Sequence, residues 1–233
     1  MIDVHCHMLP GIDDGSKSID MSLEMLRKSY DQGIEGVIFT PHFYADLDSP
    51  DSFLSRRENA YQQLINAIQI TGTPVPRFTR GAEVHYYRGI SRSADIERLC
   101  IGRSSYILIE MPFRPWQPAF IDEIEEIGQV VGLTVIIAHI ERYLDQDKKL
   151  VKRILENQDL LIQSNAEFFI EEPRKALKMF KSGRIDLLGS DSHNLTYRKP
   201  NLREAIEIIE DKRLFSQLEN VEYNSTGIFE QAI

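Results

Sequence analysis

Short apolar runs alternate with longer amphipathic segments along the whole chain, and this alternation constrains the fold more than any other feature. Strand, helix and strand repeated in that order build a parallel sheet with covering helices. Seven runs read as strands: Ile2–Val4, Val37–Phe39, Phe78–Ala82, Tyr106–Ile109, Thr134–Ala138, Leu160–Gln163 and Asp186–Leu188, most of them rich in the β-branched and aromatic residues that suit buried strands. Between them, Ile19, Leu23, Leu26 and Tyr30 recur at helical spacing ahead of Gly33. Tyr61, Leu64, Ile65 and Ile68 repeat the pattern, as do Phe120, Ile124, Ile127 and Val131, and then Leu202, Ile206 and Ile209. No internal repeat or Gly/Ser linker divides the 233 residues, so a single domain over 1–233 is expected. A chain of this length buries enough surface to fold without disulfides or a structural metal.

Charge and cysteine usage exclude several classes. With 27 Lys and Arg against 36 Asp and Glu, the net charge of −9 opposes extended nucleic-acid binding, although one phosphate held at a local site is compatible with it. Cys6 and Cys100 form no disulfide framework and no C-x-x-C pair, which points to a reducing compartment. The opening Met1-Ile2-Asp3-Val4-His5 lacks the basic and apolar regions of a signal peptide, and no run approaches the ~18 apolar residues of a spanning helix. The expectation is a cytoplasmic protein with no membrane insertion.

The histidines and acids supply the chemistry. His5 and His7 follow the first strand, His42 the second, Glu83 the third, Glu110 the fourth, His139 the fifth, and Asp191 with His193 the last, while Asp14 lies beyond the first. In a parallel barrel the C-terminal strand ends meet at one mouth, so these distant residues are expected to converge. Alternation along an extended backbone turns both imidazoles of His5-Cys6-His7 to one side. Unrelated buried polar groups would each need their own partner, so a shared cation is the better reading. Nine imidazole and carboxylate ligands exceed one tetrahedral site and imply two or three metals. The set suits Mn²⁺, Fe²⁺ or Zn²⁺ without choosing among them. Three divalent ions would outweigh the four carboxylates by about two charges, a surplus that fits a phosphate ester.

Arg142 and Arg198, on the loops after His139 and His193, add an independent signal, since a guanidinium fork matches phosphate oxygens. The bland alternative is a rim ion pair, with Glu141 the nearest partner for Arg142. The run Met111-Pro112-Phe113-Arg114-Pro115-Trp116-Gln117-Pro118 reads as a rim loop, either touching substrate or packing Trp116 onto the barrel. Arg88, Arg92, Arg114 and Lys199 could relieve the acidity near the mouth, though solvated surface is the simpler role.

Taken together, Met1-Ile2-Asp3-Val4-His5-Cys6-His7, Asp13-Asp14-Gly15, Gly81-Ala82-Glu83, Ile137-Ala138-His139-Ile140-Glu141-Arg142 and Ser190-Asp191-Ser192-His193-Asn194-Leu195 resemble the PHP (polymerase and histidinol phosphatase) superfamily. Within it they are similar to the manganese-dependent protein tyrosine phosphatases of bacterial capsule and exopolysaccharide operons. The resemblance implies a distorted (β/α)7 TIM-like barrel and three divalent metal ions, Mn²⁺ above all. It implies one cation on His5, His7, Glu83 and Asp191, a second on Glu83, Glu110 and His139, and a third on Asp14, His42 and His193. Arg142 and Arg198 would grip the phosphate. The implied substrate and partner is the phosphotyrosine tail of a membrane tyrosine autokinase, with the oligomeric state left open. His85 stands where a relative has tyrosine and is read as a hydrogen-bonding neighbour of Glu83. The tail Asn220-Val221-Glu222-Tyr223-Asn224-Ser225-Thr226-Gly227 departs from the usual Asn-Pro ending.

The expected chemistry is direct hydrolysis without a covalent phosphoenzyme, with Asp13 or water as a source of the proton. Neither cysteine belongs to a Cys-x5-Arg motif, because Ile12 and Tyr106 occupy the arginine positions, and no Walker loop is present. A histidinol-phosphate phosphatase is the nearest rival, distinguished by substrate preference. An amidohydrolase usually lacks the Asp-Ser-His cluster and the paired arginines. A noncatalytic kinase-docking module would show broken ligand positions, and none is broken here.

Overall fold

Strands this short and apolar must be covered on both faces, and the helices that cover them return the chain to the same end of the sheet each time. In the computed structural model, which describes residues 1–233, every strand pair is accordingly parallel. The strands are β1 (Ile2–Cys6), β2 (Gly36–Phe39), β3 (His42–Phe43), β4 (Arg77–Arg80), β5 (Glu83–His85), β6 (Tyr106–Glu110), β7 (Thr134–Ile137), β8 (Leu161–Asn165) and β9 (Leu187–Gly189). They form two ladders, β1-β2-β4 and β3-β5-β6-β7-β8-β9. On one side the ladders meet where β2 passes into β3 and β4 into β5, and two backbone bonds carry the pairing across these breaks, Gly81 N–H to Phe39 O at 2.7 Å and Glu83 N–H to Pro41 O at 3.1 Å. On the other side Asp191 N–H reaches His5 O at 2.7 Å and His7 N–H reaches Ser192 O at 2.9 Å, so the sheet curls round on itself.

All seven predicted strands are present with small boundary shifts, and β3 and β5 are additions. Expected just beyond strand ends, His42 and Glu83 instead lie within these short strands. Pro41 has no N–H to donate, which interrupts the ladder between β2 and β3.

The helices are α1 (Ile19–Asp31), α2 (Pro50–Thr71), α3 (Pro118–Glu126), α4 (Lys148–Glu156), α5 (Ala166–Glu171), α6 (Pro173–Lys181), α7 (Leu202–Asp211) and α8 (Phe215–Ala232). Ser18 caps α1 by accepting the Met21 N–H, but the buried face is Ser22, Met25, Leu26 and Ser29. Tyr30, expected on the apolar stripe, is exposed. Its place facing the sheet is taken by small hydroxyl residues, which let the helix approach closely. Beyond α3 the pattern at Ile127 and Val131 continues as a π-turn, Ile127–Val131, that leaves only Ile127 buried. None of these helices is long and apolar enough to cross a membrane. Both cysteines are buried and free.

Inward-facing strand residues Ile2, Val4, Ile38, Leu108, Ile136 and Leu187 fill the interior with Ile228, Phe229 and Ala232 of α8. Thus the tail that departs from the family ending forms a helix packed across the N-terminal ends of the strands. Gly102 makes this possible: at φ +54°, a Cβ there would stand 1.9 Å from Ala232 O. The N-terminal end is thereby plugged, leaving the opposite end as the mouth.

Candidate metal centre

Imidazoles and carboxylates from six strand-end regions converge at the mouth. His5 and His7, alternating on β1, bring their Nε2 atoms to 3.2 Å of one another, and each lies 3.2 Å from Glu83 Oε2. Asp191 Oδ1 lies 3.6 Å from His5 Nε2 and 3.4 Å from His7 Nε2. His139 Nε2 stands 2.8 Å from Glu83 Oε1 and 3.5 Å from Glu110 Oε1. Asp14 is not at a strand end, yet the β1–α1 loop folds it back to within 3.4 Å of His42 Nε2 and 3.3 Å of His193 Nε2. Gly15 allows this return, because a Cβ there would meet His7 O at 2.2 Å.

The donor atoms fall into three tight sets, each spanning no more than 4.8 Å: His5, His7 and Glu83; His42, Glu83 and Glu110; and His7, Asp14, His42 and His193. These sets hold seven of the nine predicted side chains, and His139 and Asp191 join them through the pair distances above. The grouping differs from the implied one: His7 also stands with the Asp14 set, His42 takes the place of His139 beside Glu83 and Glu110, and Asp191 falls outside the set of His5, His7 and Glu83.

Neighbouring groups fix which ring nitrogen faces inward. Gln163 Oε1 lies 3.2 Å from His5 Nδ1 and accepts the His139 N–H at 2.7 Å. Asp13 Oδ2 sits 2.7 Å from His7 Nδ1, and His193 Nδ1 donates to Asp191 O at 2.9 Å. In each case Nε2 is left toward the cluster, the arrangement that metal-binding imidazoles require. Gln163 was visible only as the end of a predicted strand, and its inward position was the one available signal of a role. Asp13 accepts from His42 N–H and Gly15 N–H as well. Burial opposes its charge, but His7 outweighs burial and sets its pKa at about 2. In the metal-free protein Asp13 is therefore held as a carboxylate beside His7.

Glu83 Oε2, His42 Nδ1, His139 Nδ1 and His193 Nε2 are buried without a hydrogen bond of good geometry, although His42 Nδ1 stands 3.0 Å from Glu83 Oε2 and His193 Nε2 3.3 Å from Asp14 Oδ1. Poorly satisfied buried polar atoms are costly, and four in one cluster of hard nitrogen and oxygen donors fit cations rather than a polar core. Electrostatics agree. Burial works against the Glu83 and Asp191 carboxylates, yet His5 and the other cations around them hold both pKa values well below the usual range. Burial likewise disfavours charge on His42 and His139, but their acidic neighbours raise both to about 9. In the metal-free protein, protons thus occupy places that cations would take. His139 and Asp191 also hold left-handed backbones, φ 31° and 49°, which non-glycine residues sustain only where the surroundings enforce them.

Arg142 and Arg198 both reach the mouth, and Asp191 is their shared partner: Arg142 Nη2 lies 2.5 Å from Oδ2 and Arg198 Nη2 lies 2.6 Å from Oδ1. Glu141 is not paired with Arg142; it accepts from Ser164 Oγ and Asn165 N–H instead. Each guanidinium commits one Nη and leaves its other donors free of protein partners. Asn165 Nδ2, a contact the sequence did not signal, donates to Asp191 Oδ2 at 2.8 Å. His85 pairs with Glu110 at 2.9 Å, a hydrogen-bonding role beside a different acid from the one expected. Away from the mouth, Arg92 pairs with Glu126, Lys199 with Glu204, and Arg114 lies over Phe120. Trp116 is buried and donates from Nε1 to Pro112 O at 3.0 Å, so the Pro-rich run is a rigid turn packed on the barrel.

The sequence model of a family described as capsular polysaccharide synthesis, CpsB/CapC, matches residues 1–227. The tyrosine-protein phosphatase YwqE of Bacillus subtilis is 29% identical over 217 residues, covering 90% of this chain and 84% of that protein. A solved structure from work on YwqE of Bacillus subtilis and CpsB of Streptococcus pneumoniae, described as unique metal-dependent tyrosine phosphatases, superposes with a TM-score of 0.85. It is 25% identical and covers 100% of this chain and 96% of that one. The phosphotriesterase homology protein of Escherichia coli shares the fold alone, with a TM-score of 0.56 at 11% identity over 97% of each chain.

Proposed function

Because the chain belongs to the CpsB/CapC family of capsular polysaccharide synthesis, we propose that it is a metal-dependent protein tyrosine phosphatase. The observation that carries this reading is the convergence of nine ligand-type side chains, several with buried donor atoms that lack a hydrogen bond of good geometry, flanked by two arginines with free donors. The substrate is phosphotyrosine on the tail of a membrane tyrosine autokinase that controls capsule or exopolysaccharide synthesis, and the site of action is cytoplasmic. The nine strands read as a distorted (β/α)7 barrel, with β2 and β3 forming one interrupted strand and β4 and β5 another. Backbone bonds across both breaks support that count.

Three divalent cations, Mn²⁺ foremost, would be held by His5, His7, Glu83 and Asp191, by Glu83, Glu110 and His139, and by Asp14, His42 and His193. When bound, they supply Lewis-acid charge and lower the pKa of water at the site. The chain's own residues do the rest. Gln163 and Asp13 hold His5 and His7 in the tautomers that direct Nε2 inward. The free N–H groups of Arg142 and Arg198 bind phosphoryl oxygens and stabilise negative charge as it spreads during transfer. Asp191 orients both guanidinium groups, so the loops after β7 and β9 act on the phosphoryl group together.

The test is turnover of a phosphotyrosine peptide before and after chelation, with Mn²⁺ added back. Activity should vanish on chelation and return with Mn²⁺, and Arg142→Ala should lower kcat/KM by on the order of a hundredfold. Turnover that survives thorough metal removal overturns the mechanism, and Arg142→Ala within twofold of the parent overturns the phosphate-binding role.

A further inference from the structure

An aromatic side chain pinned at the rim of a site with more than half of its surface open to water is placed to meet a ligand. Phe113 is such a residue, 55% exposed at the mouth rim on the β6–α3 loop. Its ring stacks beside His139 at an interplanar angle of 17° and a centroid distance of 6.3 Å, and lies 5.7 Å from the buried ring of Tyr143. The loop carrying it is clamped from two sides. Gln146 donates from Nε2 to Phe113 O at 3.3 Å and accepts the Trp116 N–H on Oε1 at 2.9 Å. Trp116 closes the turn onto Pro112 O and packs 5.2 Å from Tyr143. Pro112 and Pro115 further restrict the backbone.

Position gives this ring a use. His139 Nε2 faces Glu83 and Glu110, so Phe113 rises beside the ligand-type cluster, and Arg142, proposed above to bind the phosphoryl group, stands on the turn that begins at His139. A ring attached to that group through one oxygen must leave the mouth past the rim, and offset stacking operates at centroid separations of about 4.5–7 Å. The geometry points to Phe113 as the wall against which the substrate's aryl ring stacks, making the mouth selective for aryl over alkyl phosphomonoesters. This rests on the phosphatase reading above and adds to it the residue that tells phosphotyrosine from phosphoserine or phosphothreonine.

The test uses the full chain loaded with Mn²⁺, with phenyl phosphate as the ring-bearing probe and inorganic phosphate, measured as a competitive inhibitor, as the ringless one. Phe113→Ala should raise KM for phenyl phosphate roughly tenfold. It should leave kcat and the inhibition constant of inorganic phosphate within twofold. Phe113→Trp should restore KM, and Gln146→Ala, which unpins the loop, should reproduce part of the Phe113→Ala effect. If Phe113→Ala weakens phosphate and phenyl phosphate equally, or changes neither, the ring is not a specificity wall. A parent chain that hydrolyses no phosphomonoester at all overturns the phosphatase reading itself, and that result appears before any variant is made.

Discussion

The two ends of the barrel solve opposite problems with the same strands. At the N-terminal end, Ile228, Phe229 and Ala232 of α8 close the interior with apolar contacts, and Phe229 sits against Ile2 and Gly36. At the C-terminal end, imidazole rings crowd to centroid distances of 3.9 Å for His7 and His193 and 4.4 Å for His7 and His42. Several buried donor atoms there lack a hydrogen bond of good geometry. Stability is concentrated where side chains are satisfied by each other, and chemistry where they are left incomplete for a ligand. The mouth is tolerable because the plug and walls over-determine the backbone that carries it.

Truncation of the plug should give the largest effect. Phe229→Ala removes a fully buried ring from the closed end and should cost about 3–5 kcal/mol in a denaturant titration, while kcat of the folded fraction stays near the parent value. A large loss of kcat with unchanged stability would show that the two ends are not separable in this way. At the mouth, Glu83→Gln removes the carboxylate shared by two donor sets and should lower Mn²⁺-dependent turnover by on the order of a hundredfold. Its denaturation midpoint should move less than that of Phe229→Ala.

The smallest effect should come from Asp3, a buried carboxylate just below the mouth that accepts from Ser190 N–H at 2.9 Å and His5 N–H at 3.3 Å. Burial raises its pKa to about 6 against 3.8 for the free group. The folded protein therefore holds this proton more tightly than the unfolded chain does. Below pH 4 both states are protonated and nothing is lost. As pH rises from about 4 to about 6, stability falls, by about 2–3 kcal/mol in the metal-free protein once both forms are charged. Asp3→Asn keeps an acceptor at the same position and should flatten that slope, measured as the denaturation midpoint against pH. An unchanged slope would place the titration elsewhere.

Much of the site was readable because the ligand residues sit at or near the ends of apolar runs, and a run's end is a local property. His5 and His7 could be paired from strand alternation alone, whereas the prolines marked a rim loop and left open whether Trp116 packs or meets substrate. Tyr30 misled because helical spacing is satisfied by more than one face, and only the sheet decides which face is buried. Helix α8 went unread because its weakly amphipathic sequence acquires meaning only against Gly102, Gly36 and the strand starts. The pairing of Arg142 with Asp191 rather than Glu141 was equally hidden, since the partners are brought together by the curl of the sheet.

By itself, the sequence determined the alternation of strands and helices, the identity of the ligand-type side chains and the end of the strands at which they lie. These follow from chain-local periodicity and from the common direction of parallel strands. Only the tertiary structure decided which ring nitrogen faces the cluster, which acid each arginine holds, and what seals the far end. Those depend on contacts such as Gln163 with His5, Arg198 with Asp191 and Ala232 with Gly102, between residues whose separation along the chain carries no information about their distance in space.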